Sequence, residues 1–491
     1  MKLPSEIYSV ESVREIDRIA INDAGIGGYT LMTRAAQAAM DEAQRRFPDA
    51  RRWQVICGGG NNGGDGYALA RLASAQGVGV SVLALVSPDA LKGDAATAYQ
   101  DFTAEGGMAA AYEGSLDPEA DLLVDALLGS GLERNVEGKF AEAVDGVNRH
   151  PAPVIALDIP SGLNADSGAV MGIAIKADLT VTFVGLKTGL FLDDGPVLVG
   201  DLCFAGLDIP AWCRASQQAI LRRIDDDAIN SSLPPRKRNA HKGDFGHVLI
   251  VGGGPGMSGA VRLCGEAALR TGAGLVSVAT HPSHHAIVSA GRPELMCHAV
   301  QSADDLAPLL ARASVIALGP GLGRGAWSQT MFDAVMQSEL PMVIDADALN
   351  ILGESDVRRP DWILTPHPGE AARLLERKTV DIQADRRGSL EDLAVKYGGT
   401  PVLKGAGTLI AATDGPAWLC SAGNPGMAAP GMGDVLTGII AALRAQGLSA
   451  EMAGVVGVEI HARAGDVAAQ SGQRGLMASD LLQELRAWVN P

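Results

Sequence analysis

Two series of short apolar runs, each separated by helical segments, constrain this chain more than any other feature. The first is WQVIC (53–57), VSVLALV (80–86), LLVDALL (122–128), VIALDIP (154–160) and DLTVTFV (178–184). The second is HVLIVGG (247–253), GLVSVATH (274–281), VIALGPG (315–321), PMVIDAD (341–347), WILTPHP (362–368) and TPVLKGAGT (400–408). Runs of this length alternating with helices give the βαβ rhythm of a parallel sheet covered on both faces. The expected fold class is therefore α/β in both halves. Ligands of such sheets sit beyond the carboxyl ends of the strands, so functional residues are expected just after these runs.

Before the first run, residues 12–46 read as helices joined by a turn at Gly25, Gly27 and Gly28. The rhythm breaks between 214 and 245, where the polar, basic stretch around SLPPRKRNAHKGDFG reads as a solvated linker followed by an entry loop. The expected organisation is a first domain over 1–215, a linker over 216–224 and a second domain over 225–491. The halves share a class without a fixed-period repeat. Thr408 to Leu419 reads as a hairpin around Asp414 and Gly415, followed by a glycine-rich segment and a long helix.

Composition narrows the partners. The net charge of −17 argues against a nucleic-acid backbone or an anionic membrane surface. The six cysteines are scattered without CxxC or zinc spacing, which suits buried thiols in a reducing compartment. The N-terminus carries charges throughout and lacks an apolar signal core, and no uninterrupted apolar run approaches the about 18 residues of a membrane span. A cytoplasmic location is expected.

In the first half, CGGGNNGGDG (57–66) follows a strand and opens a helix. Its glycines let backbone approach a ligand, and helix-start amides face an anion. It is neither GxGxxG nor a P-loop. Asp125, Asp158 and Ser161 stand at further strand ends and, with Asn62, supply hard oxygen ligands for an alkali or alkaline-earth cation. Asp125 and Asp158 also suit helix caps, and spacing leaves the metal open.

NNGGDG, DALLGSGL, DIPSGLNADSG and LTVTFVGLKTGL, in that order over roughly residues 10 to 212, resemble the NAD(P)H-hydrate epimerase domain. The resemblance implies a Rossmann-like three-layer αβα domain that inverts C6 of hydrated NADH or NADPH and binds K+. It places Asn61, Asn62, Gly63, Gly64 and Asp65 along the hydrated dinucleotide, together with Gly129, Ser130, Gly131, Leu132, Glu133, Arg134 and Asn135. Asn62, Asp125 and Ser161 are the implied K+ ligands. Asp158 is implied to contact the ligand and to carry the proton transfer, with Lys187 as a candidate partner.

In the second half, GPGMSG (254–259) is a literal GxGxxG between a strand and a helix. The acidic residue that a dinucleotide fingerprint wants at the next strand end is missing, since that strand ends Thr280–His281. HPSHH (281–285) reads as a helix start with satisfied histidines. The stronger constellation is GPGLG (319–323), DADALN (345–350), TPHPGE (365–370), LKGAGT (403–408) and NPGMAAPGMGDVLTG (424–438). Glycine amides at the start of VLTGIIAAL form an anion hole for a phosphoryl group, and Asp434 stands there to accept a hydroxyl proton.

These motifs, over about residues 225 to 489, resemble the ADP-dependent NAD(P)H-hydrate dehydratase domain, which implies a ribokinase-like α/β fold. Ala260, Gly321, His367 and Asp434 are the implied contacts to the hydrated dinucleotide. Lys404, Gly405, Ala406, Gly407, Thr408 and Gly433 are implied to bind the adenine nucleotide, with Mg2+ on its phosphates. Ala429 and Pro430 stand where that family shows Thr or Ser and then Gly, so a phosphate-binding amide is lost or the loop is stiffened. The combined expectation is a bifunctional repair enzyme acting on NADHX and NADPHX, with ADP as phosphoryl donor and AMP as product, assembled as a homo-oligomer. The alternatives are a ribokinase-like small-molecule kinase with an accessory domain, and a non-catalytic nucleotide sensor.

Overall fold

The structure, a computed structural model, describes residues 3–355 and 357–490. The chain forms two compact units, Met1–Arg222 and Arg223–Pro491. The first contains strands β1 (Glu6–Tyr8), β2 (Arg52–Cys57), β3 (Gly79–Ala84), β4 (Ala109–Ala111), β5 (Leu122–Ala126), β6 (Val154–Leu157), β7 (Leu179–Phe183), β8 (Leu186–Lys187) and β9 (Asp201–Ala205), and β10 (Leu221–Arg223) begins at its end. The stretch 216–224, expected as linker, thus includes a short strand.

The main sheet of the first unit runs β4-β3-β2-β5-β6-β7-β9 with every pairing parallel. Its five central strands are the five apolar runs of the sequence. Successive residues feed opposite faces, as the strand period of two requires. Val55, Leu122, Val124 and Ile155 enter one core, while Ile56, Leu123, Val154 and Ala156 enter another on the far side. β1 pairs outside this sheet, antiparallel with Leu221 and Arg222 and parallel with β8.

Helices α1 (Val10–Asn22), α2 (Gly28–Arg46) and α3 (Asn61–Ala75) cover one face. The glycine-rich turn predicted between the first two holds residues 23–27. Ser9 caps α1 through its hydroxyl, which accepts from the Ser12 amide at 3.1 Å. The Asp166 carboxylate accepts from the Val10 amide at 2.8 Å, an anion at the positive end of the helix dipole.

The second unit holds β11 (His247–Val251), β12 (Leu275–Thr280), β13 (Met296–Ala299), β14 (Val315–Leu318), β15 (Met342–Ile344), β16 (Trp362–Leu364), β17 (Thr400–Leu403), β18 (Thr408–Ile410) and β19 (Ala417–Cys420). Their order is β13-β12-β11-β14-β15-β16-β17-β18-β19. The pairings are parallel as far as β17; β18 and β19 form the predicted antiparallel hairpin, with Leu409 opposite Leu419. In both units the order reverses beside the first core strand, between β2 and β5 and between β11 and β14. That crevice is where open α/β sheets bind ligands. Helix Met432–Ala445 packs on helix Ser258–Thr271, where a Cβ at Gly438 would collide with the Cys264 carbonyl. No helix among the described residues is long and apolar enough to cross a membrane.

Candidate active sites

The loop after β2 leads directly into α3, and the loop after β5 crosses it at close range. A Cβ at Gly58 would overlap the Leu127 carbonyl oxygen, and one at Gly63 would overlap that of Gly58. Glycine is therefore obligatory for this backbone packing. Above the two loops opens a cavity of about 870 Å3. Asn61, Asn62, Asp65, Gly129 to Arg134, Asp158 and Lys187 all line it. Gly63 and Gly64 are buried in the first turn of α3 behind the wall, and Asn135 turns toward Gly172. Helix α1 adds Val13, Arg14, Asp17 and Ile21 to the wall, a set that sequence reasoning missed. Their helical spacing puts them on one face, but nothing in the sequence showed that this face meets the glycine loops.

Asp125 and Ser161 lie below the cavity floor, fully buried. The Ser161 hydroxyl and amide donate to the Asp125 carboxylate at 2.6 and 2.7 Å, and the Leu127 amide donates at 3.2 Å. Burial pushes the Asp125 carboxyl up to about 6, against the pull of these bonds. No lysine or arginine among the described residues pairs with it. The Asn62 amide nitrogen donates to the Leu128 carbonyl at 3.1 Å, while its Oδ1 is buried without a partner. A buried carboxylate lacking a counter-cation and an orphaned amide oxygen, with a hydroxyl and a carbonyl close by, form a donor set that suits a hard cation.

Asp158 sits at the end of β6 with φ 67°, and Val184 at the end of β7 with φ 68°. In each case the following amide donates to the preceding carbonyl, Ile159 to Leu157 at 2.8 Å and Gly185 to Phe183 at 2.7 Å. Both are γ-turns of the strained, positive-φ kind, each costing on the order of 1–3 kcal/mol. They turn the strand ends at the cavity wall. Lys187, 1% exposed, forms an ion pair with Asp158 and also donates to the Thr182 hydroxyl at 3.0 Å and the Phe183 carbonyl at 2.9 Å. Burial, with the neighbouring Asp158 and Asp17 charges, pushes Asp65 well above the ordinary carboxylate range.

The second site is built around Asp345, which was not among the predicted ligand contacts. It is buried at the end of β15 and pairs with Lys404 Nζ at 2.9 Å. The Thr365 and Thr437 hydroxyls each donate to it at 2.8 Å. Burial opposes its charge, but the Lys404 ammonium and these hydroxyls hold it below its usual range. Burial likewise opposes the Lys404 charge, and Asp345 and Glu370 more than compensate. Next to Asp345, Ala346 carries φ 50°, a third non-glycine residue with positive φ at a strand end after Asp158 and Val184.

Asp434 lies in the first turn of helix Met432–Ala445. Burial and the nearby Asp345 charge push its carboxyl up to about 7, against the pull of Lys404. A Cβ at Gly433 would stand 3.4 Å from Lys404 Nζ and 3.5 Å from Asp345 Oδ2, so Gly433, Lys404 and Asp434 share one place. Gly431, the helix cap, has φ 88° and ψ −10° after Pro430, the dihedral signature of a type II turn that proline favours. Pro430 therefore fits the loop while withholding an amide.

His367 caps helix Pro368–Leu374; its Nδ1 accepts from the Gly369 and Glu370 amides at 3.0 and 3.3 Å. Burial and the Lys404 charge lower its pKa, so the ring is neutral with its proton on Nε2. Gly321 and Ala260 meet, since a Cβ on Gly321 would stand 3.0 Å from that of Ala260. The 404–408 loop is held from beneath by Arg386, a buried residue unmarked by any motif. It donates to the Leu403, Lys404 and Gly407 carbonyls at 3.3, 3.3 and 3.1 Å. The histidines of 281–285 open a short helix with satisfied rings, His284 accepting from the Gly256 amide at 3.3 Å.

A family signature described as YjeF-related protein N-terminus matches residues 28–189, and one described as NAD(P)H-hydrate dehydratase matches residues 248–487. The bifunctional NAD(P)H-hydrate repair enzyme of Coxiella burnetii is 47% identical over 486 residues, covering 99% of each chain. That of Escherichia coli is 43% identical over 492 residues, covering 100% of this chain and 95% of its own. Among solved structures, a ribokinase-like superfamily protein of Enterococcus faecalis matches with a TM-score of 0.50 and 28% identity, covering 55% of this chain and 95% of its own. With relatives this similar along its whole length, the chain belongs to the family of bifunctional NAD(P)H-hydrate repair enzymes.

Proposed function

We propose that this chain restores hydrated NADH and NADPH in two steps, with residues 1–215 epimerising the hydrate at C6 and residues 225–491 dehydrating the S epimer at the expense of ADP. The observation that carries this reading is Asp434, a half-buried carboxyl beside Lys404 and Gly433 at a helix N-terminus. A hydroxyl-bearing substrate placed there has a proton acceptor and an anion cradle together. Asp434 takes the C6 hydroxyl proton as the β-phosphoryl of ADP passes to that oxygen, leaving AMP. Phosphate then departs with the C–O electron pair, pushed by the ring nitrogen lone pair, and loss of a C5 proton restores the double bond.

Lys404 to Thr408 and Gly433 hold the nucleotide, while Ala260, Gly321 and His367 contact the hydrate. Mg2+ bound with the nucleotide would neutralise phosphate charge during the transfer. In the first unit, Asn62, Asp125 and Ser161 fit K+, which when bound neutralises the buried Asp125 charge. Asn61 to Asp65 and Gly129 to Asn135 receive the dinucleotide, and Asp158 accepts the proton. The protein acts in the cytoplasm as a homo-oligomer.

The test mixes purified protein with both hydrate epimers, ADP and Mg2+, and follows reduced-nicotinamide absorbance. Recovery of both epimers is expected. Stable phosphorylation of sugars or vitamin precursors, with no absorbance recovered, would instead establish a small-molecule kinase.

A further inference from the structure

The inference rests on the epimerase reading of the first unit. The carbon inverted there bears a hydroxyl and a ring nitrogen, so it is a hemiaminal. It opens when the hydroxyl loses a proton and the nitrogen gains one: the C6=O bond forms and the C6–N1 electron pair goes to nitrogen. Rotation about C5–C6 and closure on the other face return both protons. One group must therefore act as carboxylate while another holds a proton, and both must reach one ligand.

We propose that Asp17, on helix α1, is the proton donor to the ring nitrogen, working with Asp158 as the acceptor. Both line the same cavity. Asp158 faces the buried Lys187 ammonium in an ion pair, which suits it to the acceptor role. The Asp17 carboxyl makes no hydrogen bond or ion pair among the described residues, and it stands on the wall beside an apolar surface of Val13, Ile21 and Leu31. Its proton is therefore free for the ligand.

The other titratable groups on the wall are Arg14 on α1, Asp65 on α3, Lys187 and Asp158 at the strand ends, Asp94 in the first turn of helix Gly93–Ala104, and Glu133 and Arg134 on a loop. Burial and the Asp158 charge raise the Asp17 carboxyl to about 6, against Lys187, which leaves it able to give and regain a proton near neutrality. Asp65 is held neutral more firmly and suits a fixed hydrogen-bond donor. Helix α1 precedes residues 28–189, so Asp17 lies outside the segment that the family signature matches.

The test follows conversion of purified R epimer to S by the full chain, without ADP, across pH. In wild type, kcat/KM is expected to fall above about pH 6 as Asp17 loses its proton. Asp17→Asn should lower kcat by about 100-fold or more, with KM little changed and the alkaline limb gone. Asp17→Glu should recover at least a tenth of the rate with the limb restored, while ADP-dependent dehydration of the S epimer stays at the wild-type level in both variants. Asp17→Asn with the wild-type rate, or with a lowered rate and an intact limb, would overturn the proposal, as would a failure of Asp17→Glu to restore rate and limb. Absence of conversion by wild type would instead remove the epimerase reading itself.

Discussion

A lysine that is 1% exposed stays charged at low cost only while a carboxylate faces it. Asp158, with 15% of its side chain exposed on the cavity wall, can recover hydration that Lys187 cannot. The two single variants should therefore be unequal. Asp158→Asn leaves a buried ammonium without its counter-charge and should cost about 3 kcal/mol or more in urea unfolding, whereas Lys187→Met should cost clearly less. The double variant should recover much of the loss without recovering activity; a double variant no more stable than Asp158→Asn would show that packing sets the cost. At the other site, Asp434 must be ionised to accept a proton, and its carboxyl sits at about 7. The kcat/KM of dehydration should rise with pH through about 7. Because the Asp345 charge helps hold Asp434 up, Asp345→Asn should move this limb to lower pH. Asp434 and Asp158 were legible because each stands in a local motif just after a strand or opening a helix. Asp17 and Arg386 were not: neither belongs to a motif, and their roles come from what the fold brings against them.

Elements show the same division. The central strands of both main sheets carried an apolar signature and were readable, whereas β4, β9 and β13 at the sheet edges fell in no predicted run. The trio β1, β8 and β10 was not readable either, because strands of two or three residues have no period of their own and exist through tertiary pairing. Helix α1 was readable as a helix but not as a wall of a site. Its placement rests partly on the Asp166 carboxylate at the Val10 amide, a residue inside the DIPSGLNADSG motif. Asp166→Ala should weaken that helix start by about 1 kcal/mol, seen as roughly fivefold faster hydrogen exchange in its first turn. The 404–408 loop is held in the same way by Arg386. Arg386→Met should free three carbonyls and raise the KM for ADP by about tenfold, the scale of a lost charged hydrogen-bond network. The KM for the S epimer should hold, since Ala260, Gly321 and His367 lie on other segments, Ala260 in the helix Ser258–Thr271. Equal rises in both constants would mean that Arg386 supports the whole unit and not the nucleotide loop.

At the scale of the molecule, the groups proposed for each step lie within one unit. The first has its cavity, its Asp158–Lys187 pair and its unpaired carboxyls; the second has the Asp345–Lys404 pair beneath Asp434. Fusion then combines two reactions on one metabolite without making either depend on the other for chemistry. An Asp158→Asn chain, given both epimers with ADP and Mg2+, should recover the S fraction quickly and then stall at the slow rate of uncatalysed epimerisation. Adding an Asp434→Asn chain, whose first unit is intact, should carry recovery on to completion, because the S epimer it makes is free to reach the other protein. A plateau that the second chain does not relieve would mean that the S epimer never leaves the molecule that made it, and physical continuity of the two units would then be part of the mechanism.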